Sequence, residues 1–301
     1  MKSLSEEMRR DSSIFFITAD MGINLVESIQ DEFPDRFLNV GIAEQNAIGV
    51  AAGLAESGFH PWVYTISNFL VHRCFEQVRN DVALHQLPIT LFGTSSGFDN
   101  APLGPTHHIV DDWGMIAGLP NATVYAPATV EFASTLVHRL RGARGLSYLR
   151  VAKGAISFPS SSDDALLVGD LRETRRPLVL SYGGVGGRLL EHHDQLAGVN
   201  LLILNRLVEL PPLAVDALNV EPPWVVVVED HFSRTGLAAQ VALFLAQNGL
   251  RTRLLPIAPR YFDTVVGSTA SELDARHGLD ARTVAAAVDS LVLGHHGAVR
   301  Q

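Results

Sequence analysis

The chain has 301 residues and a single cysteine, Cys74. One cysteine excludes an intrachain disulfide and suits a reducing compartment. No block of lysine or arginine is present and the formal charge is -9, which argues against a nucleic-acid partner. Long apolar runs are also missing: a stretch such as Trp224 to Val228 is far too short to span a bilayer. The opening MKSLSEEMRRDSS is polar and carries no signal-peptide core. There is no internal repeat and no low-complexity tract. These absences leave a globular protein expected in the cytoplasm, with no membrane and no nucleic acid to serve. The composition is 47% hydrophobic against 18% charged, in a length that suits two domains.

In the first half, short apolar runs alternate with stretches of helical spacing. Ile14–Ala19, Phe37–Val40, Trp62–Ile66, Ile89–Phe92, Thr123–Ala126 and Ser147–Val151 read as strands. Asn24–Phe33, Glu44–Glu56, Phe69–His85, Val110–Gly118 and Val130–Arg141 read as helices. Residues 156–176 are Ser/Pro/Asp-rich and then charged, as in a linker. A second unit follows, with strands at Leu178–Ser181, Asn200–Leu204, Trp224–Val228 and Thr252–Pro256 and helices at Gly236–Asn248 and Asp280–Leu291. The expectation is α/β throughout: two domains, 1–155 and 177–301, each a mostly parallel sheet flanked by helices. Ligands of such sheets bind at the carboxyl ends of the strands. Asp20, Gly41–Glu44, Ser67–Phe69 and Thr94–His107 all follow predicted strands, so chemistry is expected on that edge.

Two motifs imitate sites. GTSSG, Gly93–Gly97, matches the G-x-S-x-G nucleophile elbow, but FDNAPLGP follows it and cannot start the helix that the elbow requires. GGVGG, Gly183–Gly187, lies between a strand and a helix like a dinucleotide fingerprint; it lacks the third spaced glycine and the acid after the next strand, so a tight turn is expected. The twelve histidines form no H-x-x-x-H or comparable metal-binding pattern.

Glu44 is the position that stands out. In NVGIAEQN it sits between two apolar stretches, where a carboxylate costs free energy unless paired. It reads either as an acid favoured in a first helical turn or as a functional carboxyl in apolar surroundings at the strand-end edge. Gly49 and Gly53 each cost about 1 kcal/mol against alanine in a helix, and their spacing permits close approach of another element, such as a subunit.

Residues 36–58, RFLNVGIAEQNAIGVAAGLAESG, resemble the pyrimidine-binding domain of the transketolase and 1-deoxyxylulose-5-phosphate synthase family. The likeness continues through 60–83, GPTHHIVDDWGMI at 104–116, and 119–137; VVVVEDHFSRTGLAAQVA at 225–242 carries it, more weakly, into the family's C-terminal domain. The resemblance implies thiamine diphosphate chemistry. Glu44 would hydrogen-bond the aminopyrimidine and share the proton that activates the cofactor. Phe69 would stack on the pyrimidine, Asp20 would lie near the cofactor, and His107 would contact substrate. A core Phe and a loop His are the plainer alternatives.

The family's GDG…N segment for the diphosphate and its Mg²⁺ is missing: the only Gly-Asp, Gly169-Asp170, is followed by Leu171. The chain thus resembles the C-terminal half of a split transketolase. A separate GDG-containing subunit would supply the Mg²⁺ ligands, and an α2β2 heterotetramer is expected; no metal ligands are expected here. Two departures bear on substrate. Leu103 replaces the family's loop acid, which weakens selection for a hydroxylated acceptor. Ala126 replaces a phosphate-binding arginine, for which Arg73 is a substitute candidate. A two-carbon ketol transfer to a less hydroxylated or carrier-bound acceptor fits; a 2-oxoacid-decarboxylating synthase or dehydrogenase E1 β subunit, and a non-catalytic scaffold, are the rivals.

Overall fold

The computed structural model describes residues 1–154, 156–159 and 164–293. The first sheet has six parallel strands: β1 (Ile14–Thr18), β2 (Phe37–Asn39), β3 (His60–Ile66), β4 (Thr90–Thr94), β5 (Thr123–Tyr125) and β6 (Ser147–Val151). Their order is β2-β1-β3-β4-β6-β5. On one face lie α1 (Lys2–Arg10), α2 (Glu27–Glu32) and α6 (Val130–Leu140); Leu4, Met8, Phe132 and Leu136 pack there on Phe16 and Trp62. On the other lie α3 (Glu44–Glu56), a composite helix α4 over residues 69–83, and α5 (Asp112–Ala117). Ala47, Ile48, Ala51, Leu70 and Val71 bury themselves there against Ile17 and Val63. Both faces are covered, which is why the strands read as apolar runs rather than as alternation.

The second sheet contains β7 (Ala165–Val168), β8 (Leu178–Tyr182), β9 (Asn200–Leu204), β10 (Trp224–Val228) and β11 (Arg253–Ile257), in the order β11-β10-β8-β9-β7. All its pairings are parallel except β7 with β9. The segment that reads as a linker therefore adds an antiparallel edge strand. Helices α7 (Gly183–Glu191), α8 (Pro212–Asn219), α9 (Leu237–Gln247), α10 (Ala270–His277) and α11 (Ala281–Val292) cover this sheet. No helix among the described residues is long and apolar enough to cross a membrane.

Each sheet has one point where the chain winds off in opposite directions. In the first it lies between β1 and β3, in the second between β8 and β10. Crevices at such points are where open α/β sheets bind ligands. The second is filled by the first domain. Arg150, fully buried at the end of β6, holds Asp112 at 2.8 Å and Asp230 at 2.9 Å. Trp113 Nε1 donates to the Tyr182 hydroxyl at 2.8 Å, and the Tyr148 hydroxyl donates to Asp112 at 2.6 Å. Glu229 accepts the backbone N–H groups of Leu237 at 2.7 Å and Ala238 at 3.0 Å, which open α9. Burial pushes its carboxyl up to about 8.

Both decoy motifs belong to this contact. Gly97 has φ +55, and a Cβ there would lie 2.2 Å from Asp230 Oδ2. Ser95, at 1% exposure, has no partner for its hydroxyl among the described residues and is closed off from solvent. In place of the expected tight turn, GGVGG opens α7, with only Gly183, φ +55, in the left-handed region. A Cβ at Gly184 or Gly187 would meet Ala152 or the Ala128 carbonyl at 2.7 Å. The glycines let the two domains touch rather than admit a nucleotide.

Candidate active site

The crevice between β1 and β3 is the open one. Asp20 follows β1 in the left-handed region, φ 53, and is exposed. Its N–H donates to Asn39 Oδ1 at 3.0 Å, and the Gly41 N–H donates to the same oxygen at 2.9 Å. Asn39 thereby ties the turn after β1 to the loop that leads into α3. Glu44 is the first residue of α3 and is 2% exposed. It is buried, as expected, but not unpaired: Arg73 Nη1 donates to its Oε2 at 2.5 Å.

Phe69 opens α4 at the end of β3. The helix expected over Phe69–His85 forms with π turns at Phe69–Arg73 and Val78–Ala83 around a short α segment, Phe75–Gln77. Such widened turns recur at functional sites. The Arg73 guanidinium lies over the Phe69 ring, 4.5 Å from its centroid. The Phe69 ring also meets the His107 ring edge-on at 5.2 Å. Cys74, next along, is fully buried, and burial together with the Glu44 charge pushes its thiol up to about 12; it is no nucleophile.

His107 is half-buried and sits on a turn whose N–H donates to the Gly104 carbonyl at 3.0 Å. Its Nδ1 shares a hydrogen bond with the Thr106 hydroxyl at 3.0 Å. The Asn68 amide donates to the Thr106 carbonyl, which pins this loop to the end of β3. Asn68 also meets His72 Nδ1 at 2.6 Å, while Asp111 lies 3.0 Å from His72 Nε2 and raises its pKa. The sequence reading missed Asn68, His72 and Asp111. The four-residue spacing of Asn68 and His72 on one helix face was the available signal.

Leu103 ends the turn Ala101–Leu103 and is 55% exposed. Beside it, Gly104 has φ +78, and a Cβ there would lie 2.8 Å from Val266 Cγ2. The Gly267 N–H donates to the Pro102 carbonyl at 3.2 Å, so a loop of the second domain borders this turn. Val266 is itself 67% exposed. Ala126 is fully buried beside Asn205 and Gly183. The structure thus brings Glu44, Phe69, Arg73 and His107 into one contact chain, with Asp20 and Leu103 on the same edge.

The close approach expected across Gly49 and Gly53 is not made by any described residue of the chain: a Cβ at either would meet nothing within 4 Å. A cavity of about 670 Å³ lies elsewhere, between α1, α6 and the end of β6. Its walls are mostly apolar, as at Leu25, Phe92, Val130 and Val151, with Lys2, Ser3, Thr129 and Ser134 among them, and no carboxylate or histidine among the described residues lines it. Among the described residues no group of three or more His, Cys, Asp or Glu could hold a metal ion.

Glu44 is a buried carboxyl whose Oε1 has no partner among the described residues, close to the Phe69 ring through Arg73. Residues 1–157 match the family described as transketolase, pyrimidine binding domain, and the chain belongs to that family. It is 34% identical to a 1-deoxy-D-xylulose-5-phosphate synthase of Syntrophotalea carbinolica, over 98% of this chain and 47% of that protein; it spans about half of that relative's length. It is 28% identical to a subunit of the apulose-4-phosphate transketolase of Actinobacillus succinogenes, over 90% of this chain and 93% of that relative. A split-gene transketolase solved as an inactive β4 tetramer superposes with a TM-score of 0.80 at 25% identity, covering 97% of this chain and 96% of that one.

Proposed function

We propose that this chain is the pyrimidine-binding subunit of a two-part, thiamine diphosphate-dependent transketolase that moves a two-carbon ketol unit from a ketose donor to an aldehyde-like acceptor. The observation that carries this reading is Glu44, a buried carboxyl with one oxygen uncommitted, beside Phe69 and His107 at the open crevice. When bound, the cofactor would supply the carbon nucleophile for such a transfer. This chain would contribute the rest of that half-site. Glu44 would offer its free oxygen to the aminopyrimidine, Phe69 would pack on the ring system, and His107 would present a ring nitrogen toward the substrate. Asp20 closes the edge from the β1 side.

The diphosphate and Mg²⁺ are assigned to a separate GDG-containing subunit, in an α2β2 assembly. Relatives named as one subunit of a transketolase and as a split-gene transketolase support the division. On the acceptor side, Leu103 and Val266 offer an apolar rim where a hydroxyl-binding acid would serve a sugar. The acceptor is therefore proposed to present an apolar or less hydroxylated end, free or on a carrier. The identity with the synthase favours a second reading, decarboxylation of a 2-oxoacid.

The test is donor and acceptor use by the chain mixed with its GDG-containing partner. A ketose phosphate serving as donor, with pyruvate inert, supports the ketol transfer; the reverse selects the second reading. Leu103→Asp should improve ribose 5-phosphate as acceptor. If ordinary pentose phosphates are already good acceptors and Leu103→Asp changes nothing, the apolar-acceptor reading is wrong.

A further inference from the structure

Arg73 reads in the sequence as a stand-in for a phosphate-binding arginine; in the structure its side chain contacts Glu44 and Phe69. One nitrogen, Nη1, is bonded to Glu44 Oε2 at 2.5 Å, and the guanidinium plane covers the Phe69 ring at 4.5 Å. Phe69 and Arg73 lie four residues apart on one π turn, so the wide turn sets the guanidinium above the ring while it reaches Glu44 on α3. The side chain is 43% exposed, so it closes the contact from the rim. Glu44 keeps Oε1 without a partner among the described residues.

An arginine is suited to this double contact. Its planar fork can stack on an aromatic face and hydrogen-bond a carboxylate at once, which a lysine cannot. A carboxylate with one oxygen bonded loses rotamer freedom, and its other oxygen is left with a defined direction. An aromatic ring backed on one face is likewise held for whatever packs on it.

We propose that Arg73 is a positioning residue: it fixes the Glu44 carboxyl through Oε2 so that Oε1 is the atom offered to the cofactor's aminopyrimidine, and it braces the Phe69 ring beside it. The proposal rests on the reading of the crevice as a thiamine diphosphate half-site. It differs from a phosphate role, which would act on substrate, and from a placeholder role, in which the cofactor would displace Arg73.

The experiment uses the full chain combined with its GDG-containing partner, as wild type, Arg73→Lys and Arg73→Met, with thermal melting to confirm that each variant folds. Thiamine diphosphate affinity is measured by calorimetric titration. The protonation of the bound aminopyrimidine is followed against pH by near-ultraviolet circular dichroism. Arg73→Met should bind thiamine diphosphate roughly 10-fold more weakly, the scale of one hydrogen bond to a charged group. Its dichroism titration should shift from that of wild type. Arg73→Lys should recover affinity in part, by pairing with Glu44, without restoring the brace on Phe69. If Arg73→Met binds the cofactor as tightly as wild type or more tightly, Arg73 is a placeholder and the proposal fails. A change confined to the KM of a phosphorylated acceptor, with affinity and dichroism unmoved, also overturns it and assigns Arg73 to phosphate. Wild type that binds no thiamine diphosphate refutes the half-site itself and the proposal with it, a result distinct from either of these.

Discussion

The two halves of this chain have the same architecture and opposite fates at the same place. Each sheet reverses its winding once, and each sets carboxylates at that reversal. In the second half the crevice is closed. Glu229, Asp230 and His231 are at most 3% exposed, with Arg150, Trp113 and Asp112 of the first half driven into them. In the first half the crevice stays open along β1, β2 and β3. Asp20 is exposed, Ile23 and Ile42 stand 82% and 78% exposed beside it, and Glu44 leaves an oxygen free. A buried acid with a shifted pKa is therefore not enough to mark a site. Glu229 has its carboxyl pushed up to about 8 by burial, but its oxygens already cap the first turn of α9. Glu44 is the acid with bonding capacity left over.

The largest expected effect comes from unplugging the closed crevice. Arg150→Met leaves Asp112 and Asp230 buried without their cation, and unpairing a buried charge costs about 3–5 kcal/mol. Chemical denaturation should show that loss. Arg73→Met should cost less, because its guanidinium is 43% exposed. Equal losses would erase the distinction between the two edges.

A smaller effect concerns pH. The Glu229 carboxyl titrates near 8 in the folded chain against an ordinary 4.5. Between those values the native state keeps a proton that the unfolded state has released. Stability therefore falls as pH rises through this window and levels off above it. Asp274, pushed up to about 7 by burial, adds a slope of the same sign. Glu229→Gln should flatten the decline, as read from denaturation midpoints between about pH 5 and about pH 9. An unchanged slope would show that Glu229 is not held in its protonated form. The smallest effect is expected at Asn39→Ala, about 1 kcal/mol for losing the tie between Asp20 and Gly41.

Much of the fold was legible as sequence. Ten of the strands overlap runs read from the sequence, and the central ones are apolar and buried on both faces, while the edge strands β2 and β11 are partly exposed; Ile14–Ala19 becomes Ile14–Thr18. The edge that carries Asp20, Glu44, Phe69 and His107 followed from the strand ends alone. Other elements were hidden for definite reasons. β7 is four residues within a polar stretch and pairs only as an antiparallel edge. α1 has a polar composition and buries Leu4 and Met8 on one side only. The Arg73 to Glu44 contact joins residues 29 apart through a π turn that no local pattern announces. The plug depends on how the two domains meet, so GTSSG and GGVGG looked like failed motifs until Asp230 and Ala152 were seen against them.

The account is tested most directly by titrating thiamine diphosphate into this chain combined with a GDG-containing partner, for wild type, Glu44→Gln and Glu229→Gln, with turnover measured on the same samples. Wild type and Glu229→Gln should bind the cofactor and turn over alike, while Glu44→Gln should lose roughly 100-fold or more in turnover, the scale of a positioned proton-transfer group. Undiminished turnover in Glu44→Gln would contradict the account.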